Sequence, residues 1–171
     1  MKNLVIGQSG GPTAVINASL YGAVKAFRES GTDGHVLGMI NGIEGFLADH
    51  VMDLSTDLSD KELELLKLTP AAYLGSCRYK LPADLDSEVY PAIFDNFREM
   101  NIGYFLYVGG NDSMDTVDKL SRYAEKIGSD VKFIGIPKTI DNDLVLTDHT
   151  PGFGSAAKYV ASTVREIVLD A

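Results

Sequence analysis

Three short apolar runs constrain this chain more than any other feature: Leu4-Val5-Ile6, Tyr104-Phe105-Leu106-Tyr107-Val108 and Phe133-Ile134-Gly135-Ile136. Each breaks at once into a turn dense with glycine or charge. Apolar runs that do not alternate with polar residues belong to strands covered on both faces, as in parallel sheets flanked by helices. The first run leads through Gly7-Gln8-Ser9-Gly10-Gly11-Pro12-Thr13 into a helical stretch. The second leads through Gly109-Gly110-Asn111-Asp112-Ser113 into a helix running through Lys126, and the third into Pro137-Lys138-Thr139-Ile140-Asp141-Asn142-Asp143. An open parallel sheet gathers the carboxyl ends of its strands along one edge. The expected fold is therefore α/β, a doubly wound, mostly parallel sheet with helices on both faces. Gly11, Asp112 and Asp141 are expected to meet in one cleft.

The turns carry chemistry of one kind. Paired glycines let backbone amides approach a ligand, Pro12 suits a first helical turn, and a helix N-terminus favours anions. A plain strand-to-helix connection reads equally well there. A dinucleotide site is the weaker reading, because the glycines are not spaced G-x-G-x-x-G and the strand at 35–40 ends in Asn41-Gly42. In the third turn an extended backbone would send Asp141 and Asp143 to one side and Asn142 to the other. Two such carboxylates repel unless a cation or a shared proton separates them; Lys138 or a divalent metal would serve, while a capping turn is the plainer alternative. Gly75-Ser76-Cys77-Arg78-Tyr79-Lys80 places two cations on a loop, suited to phosphate oxygens or simply solvated. Asp112 or Ser113 could cap the helix that follows.

Elsewhere the pattern is structural. Residues 42–58 read as a mixed connection, and 59–68 as a short amphipathic helix opened by a capping box of Ser59 and Glu62. Residues 86–100 repeat Val89, Ile93, Phe97 and Met100 at helical spacing. The first helix is expected to press a small-residue face (Val15, Ala18, Gly22, Ala23, Ala26) on the sheet. The last carries Ala157, Val160, Ala161, Val164, Ile167 and Val168 on one stripe and reaches Ala171 without a glycine or proline stop, as expected of a fragment. At 171 residues the chain is one domain, and a net charge of −9 argues against nucleic acid or an anionic membrane as partner. Cys77 is alone, so no internal disulfide forms; a buried filler in a reducing cytoplasm is expected. His149 reads as a turn residue.

Taken in order, Ser9-Gly10-Gly11, Gly75-Ser76-Cys77-Arg78-Tyr79, Gly109-Gly110-Asn111-Asp112-Ser113 and Pro137-Lys138-Thr139-Ile140-Asp141-Asn142-Asp143 resemble the 6-phosphofructokinases. Thr150-Pro151-Gly152-Phe153-Gly154-Ser155 extends the resemblance over nearly the whole chain. It is to the Rossmann-like N-terminal half of that fold, so residues 1–171 would be the phosphoryl-donor-binding domain. The second, sugar-phosphate half would be absent, since the chain stops before the family's Met-Gly-Arg segment.

The resemblance implies phosphoryl transfer to the 1-hydroxyl of fructose 6-phosphate in glycolysis, with Mg2+ as cofactor and a homo-oligomer in the full-length protein. It implies Asp141 as general base, Thr139 and Asp141 against the sugar, and Gly11 and Arg78 on the donor phosphates. Asp143 would be a magnesium-side carboxylate, and Asn111 stands where many members carry a magnesium-binding aspartate. ATP-using members have glycines where this chain has Asp112 and Lys138. Asp112 would put a carboxylate where the α-phosphate of ATP would lie, and Lys138 a cation against pyrophosphate. The pyrophosphate-dependent branch is therefore expected, with an ATP-dependent enzyme, or a non-catalytic phosphate-binding or assembly fragment, as alternatives. An exposed apolar surface is expected where the second half docks.

Overall fold

Alternation along β1 (Asn3–Gln8) explains why helices cover both faces of the sheet. In the computed structural model, which describes residues 2–171, Val5 points into one apolar cluster, while Leu4 and Ile6 point into another. The remaining strands are β2 (Val36–Met39), β3 (Val51–Asp53), β4 (Ile102–Gly109) and β5 (Lys132–Pro137). Their order is β3-β2-β1-β4-β5, parallel throughout except for β3, which pairs antiparallel with β2 at the edge. The expected doubly wound α/β fold is thus the observed one, but β5 is not the buried strand expected of the run at 133–136: it lies at the sheet edge, none of its residues is buried, and Ile134 is 53% exposed.

The helices are α1 (Ile16–Glu29), α2 (Gly42–Leu47), α3 (Asp60–Leu66), α4 (Val89–Glu99), α5 (Asn111–Ile127) and α6 (Phe153–Asp170). Residues 42–58 are therefore not mere connection but hold α2 and the edge strand. On α1 the small-residue face is not the buried one. Ile16, Leu20 and Val24 are buried and meet the sheet, while Gly22 and Ala26 are exposed. A row of branched side chains removes more apolar area from water than alanines and glycine can, and that row sets the rotation of the helix. On α4 the expected Ile93 and Phe97 are buried, joined by Tyr90 and Phe94. Phe97 packs on Phe46 and Phe105 at ring separations of 5.5 and 5.6 Å.

The capping box forms: the Ser59 hydroxyl accepts from the Glu62 amide at 3.3 Å, and the Glu62 carboxylate accepts from the Ser59 amide at 2.9 Å. Ser59→Ala should lower unfolding stability by about 1 kcal/mol in urea titration, with the m-value unchanged. No loss would mean that packing of Leu63 and Leu66 alone fixes α3.

No residue of α6 is buried, so its apolar stripe, Val160, Val164 and Ile167 included, faces outward. Among the described residues no helix is long and apolar enough to cross a membrane. Cys77 is buried, as expected of a filler. What positions the site is the reversal between β1 and β4: α1 packs in the cluster of Leu4 and Ile6, α5 in that of Val5 and Phe105. Helices leaving adjacent strands toward opposite faces open a crevice at the strand ends.

Candidate active site

Two adjoining cavities occupy that crevice. The larger, about 410 Å³, lies between the Ser9-Gly10-Gly11 turn, the loop carrying Arg78 and Lys80, the start of α5 at Asp112, and Lys138. The smaller, about 240 Å³, is lined by Thr13, Thr139 and Asp141 among others. Gly11, Gly110, Asn111 and Lys138 line both. Gly11, Asp112 and Asp141 thus come to one cleft, as the strand-end argument requires.

Hydrogen bonds between distant segments hold the glycine turn. Gly10 sits at φ +73°, which favours glycine, and its amide donates to the Cys77 carbonyl at 3.1 Å. The Ser9 hydroxyl donates to that same carbonyl at 3.2 Å, and the Ser76 hydroxyl to Gly10 O at 2.6 Å. Behind them lies a buried amide pair. Gln8 Nε2 donates to Asn17 Oδ1 at 2.9 Å, while the Leu74 amide donates to Gln8 Oε1 at 2.9 Å. Asn17 accepts from the Tyr73 amide at 2.8 Å and donates to Thr69 O at 2.8 Å. The loop that ends in Arg78 is therefore tied to β1 and α1 by side chains. Neither Gln8 nor Asn17 is among the residues expected at the site. The only hint is positional, an amide closing an apolar strand and another beginning an apolar helix.

Lys138 is only 6% exposed. Its amide donates to Gly109 O at 2.9 Å, and its ammonium hydrogen-bonds the Gly11 carbonyl, joining the ends of β4 and β5 to the glycine turn. Burial lowers its pKa below the ordinary lysine value, and the positive charge of Arg78 adds to the effect. A lysine in that position is short of negative charge, which an anion in the larger cavity would supply. Asp112 does not cap α5, and neither does Ser113. The N-cap is Gly110, with no side-chain cap bond, and Ser113 is buried. The Asp112 carboxylate instead lies 3.1 Å from Lys80 Nζ at the cavity mouth, both side chains being largely exposed. Such a pair holds its partners only weakly and can reopen for a ligand.

The third turn does not stay extended. Asn142 takes φ +55°, so Asp141 and Asp143 do not share a strand face. Thr139 Oγ1 accepts from the Asp141 amide at 3.0 Å, and among the described residues no side chain bonds the Asp141 carboxylate. Asp143 Oδ2 accepts from Asn111 Nδ2 at 3.0 Å, and that bond lowers its pKa below the usual carboxylate value. Among the described residues no three acidic, histidine or cysteine side chains cluster as a metal cage. Asp143 and Asn111 offer only oxygen as ligand atoms, which fits a hard divalent cation that keeps water and draws further ligands from bound phosphate. His149 packs beside Phe153, with ring centroids 5.8 Å apart, as a turn residue.

Comparison with known proteins agrees with this arrangement. The phosphofructokinase family model matches residues 3–171. The pyrophosphate–fructose 6-phosphate 1-phosphotransferase of Halomonas elongata is 46% identical over 171 residues, covering 98% of this chain and 40% of that protein. The sulfofructose kinase of Alkalicoccus urumqiensis is 39% identical over 167 residues, covering 98% of this chain and 42% of that protein. The crystal structure of the pyrophosphate-dependent phosphofructokinase of Nitrosospira multiformis superposes with a TM-score of 0.91 at 43% identity, over 99% of this chain and 42% of that one. The chain spans about 40% of the length of the curated relatives it matches. With sequence and fold matched across that span, the chain belongs to the phosphofructokinase family.

Proposed function

We propose that this chain is the donor-binding half of an enzyme that moves a phosphoryl group from pyrophosphate to the 1-hydroxyl of fructose 6-phosphate. The products are fructose 1,6-bisphosphate and phosphate. The observation that carries the proposal is the shared wall. A chamber lined by glycine and cations adjoins one that holds an unpaired carboxylate, with Gly11, Gly110, Asn111 and Lys138 between them. Phosphoryl transfer is chiefly positioning and charge neutralisation, and it needs donor and acceptor on opposite sides of one phosphorus atom.

Gly11 and Arg78 hold the donor phosphates, and Lys138 supplies positive charge beside the oxygen that leaves. Thr139 and Asp141 meet the sugar. As the 1-hydroxyl oxygen bonds to phosphorus and the bridging P–O bond of pyrophosphate breaks, Asp141 accepts the hydroxyl proton. Asp143 and Asn111 would hold a magnesium ion, which when bound neutralises charge on the transferring group. Asp112 narrows the donor chamber with negative charge where a nucleotide would have to continue, which favours pyrophosphate over ATP. Fructose 6-phosphate is preferred to sulfofructose because the relative named for it is 46% identical, against 39%. The remaining sugar contacts belong to the rest of the polypeptide, in a cytoplasmic homo-oligomer.

A coupled assay of the complete protein tests this reading. Fructose 1,6-bisphosphate should form with pyrophosphate as donor and not above background with ATP. Turnover with ATP alone would overturn the donor assignment. Binding of pyrophosphate without turnover of any acceptor would favour a non-catalytic role.

A further inference from the structure

We infer that Asn142, which carries none of the roles above, is a positioning residue that sets the place of Asp141 by pinning the turn between the two aspartates to the stem of α6. The inference rests on the reading of Asp141 as the proton acceptor. Nothing among the described residues bonds the Asp141 carboxylate, so its position depends on the backbone that carries it. Two contacts fix that backbone. One is Thr139 Oγ1, accepting from the Asp141 amide. The other is the Asn142 side chain, which donates to Asp148 O at 3.1 Å and accepts from the Thr150 amide at 3.0 Å.

The far end of these bonds is rigid. Thr150 is buried and its hydroxyl donates to Thr139 O at 3.1 Å, while the Thr139 amide donates to Pro151 O at 2.9 Å. The segment from Thr139 to Thr150 is therefore a closed loop with Asn142 as its internal clasp. Asparagine suits the post on two counts: it tolerates the left-handed backbone at φ +55°, and its amide both donates and accepts. Val145 and Leu146, between the clasp and the stem, are exposed and give the turn no packed support. Removing the amide should free Asp141 without touching the donor chamber.

Asn142→Gly separates the amide from the backbone, since glycine takes positive φ without strain; Asn142→Ala removes both. In the complete protein, Asn142→Gly should lower kcat about 10- to 100-fold with little change in KM for pyrophosphate, and Asn142→Ala should lower it further. Amide hydrogen exchange in residues 139–150 should quicken in both, with the rest of the sheet unchanged. An unchanged kcat in Asn142→Gly overturns the inference, and so does a parallel loss of donor affinity and thermal stability, which would mark a general structural role. Exchange that stays at the wild-type rate overturns it whatever the substrates prove to be. Failure of the proposed function is read separately, from the wild-type protein's turnover with pyrophosphate.

Discussion

Asp141→Asn in the complete protein is expected to lower kcat by about 10²- to 10⁴-fold with the fold intact. Asparagine keeps the volume and the hydrogen-bonding oxygen of the side chain but cannot take a proton. The residue is exposed on the wall of the smaller cavity, and its amide is held by Thr139, so the change disturbs no packing. KM for pyrophosphate should move little, because Asp141 does not line the larger cavity. The split matters: a loss confined to kcat identifies an interaction made in the transition state, whereas a loss confined to KM identifies uniform binding. Steady-state kinetics with each substrate varied in turn makes the distinction. Activity within a few-fold of wild type would remove Asp141 as the base and leave Asp143 as the nearest carboxylate in sequence.

The parts of this arrangement that were legible in the chain are those fixed by local rules. Leu4-Val5-Ile6 and the run at 104–108 announce buried parallel strands because no polar residue interrupts them, and the order of neighbouring strands then brings their glycine turns together. Ser59 and Glu62 announce a helix start because the two partners lie within one turn. What was not legible depends on tertiary competition. The rotation of α1 is decided by whether Ile16, Leu20 and Val24 or the small residues find the sheet, and helical spacing admits both. Strand β3 has three residues and owes its existence to β2 beside it. The Gln8 and Asn17 pair joins segments more than fifty residues apart, beyond the reach of any local pattern. Similarly, the parity argument for Asp141 and Asp143 assumed an extended turn, and the left-handed Asn142 defeats it.

The donor preference can be tested through Lys138. Lys138→Met in the complete protein should lower kcat/KM for pyrophosphate by about 10²- to 10³-fold, the usual consequence of removing one preorganised group that meets developing charge. Methionine is of similar length, so the buried stem remains filled while the ammonium and its bond to Gly11 are lost. The pH dependence gives the sharper check. In the proposed role only the protonated lysine would help the donor, and burial together with Arg78 places its pKa below the ordinary 10.5. Binding of pyrophosphate should therefore weaken as pH rises through that lowered value, and the limb should be missing from Lys138→Met. The stability of the ligand-free protein runs the other way: the unfolded chain binds the proton more tightly, so unfolding becomes harder as pH rises through the same window. Pyrophosphate, by supplying the missing negative charge, raises the lysine pKa and should stabilise the protein most below that window and progressively less across it. Calorimetric titration against pH in wild type and variant separates this from a general alkaline loss of activity. A wild-type profile identical to that of Lys138→Met would leave the lysine a structural tie between strand ends. Adding Asp112→Gly to a Lys138→Gly background should not restore pyrophosphate turnover, because in the proposed roles the aspartate excludes a nucleotide and the lysine meets the donor's charge.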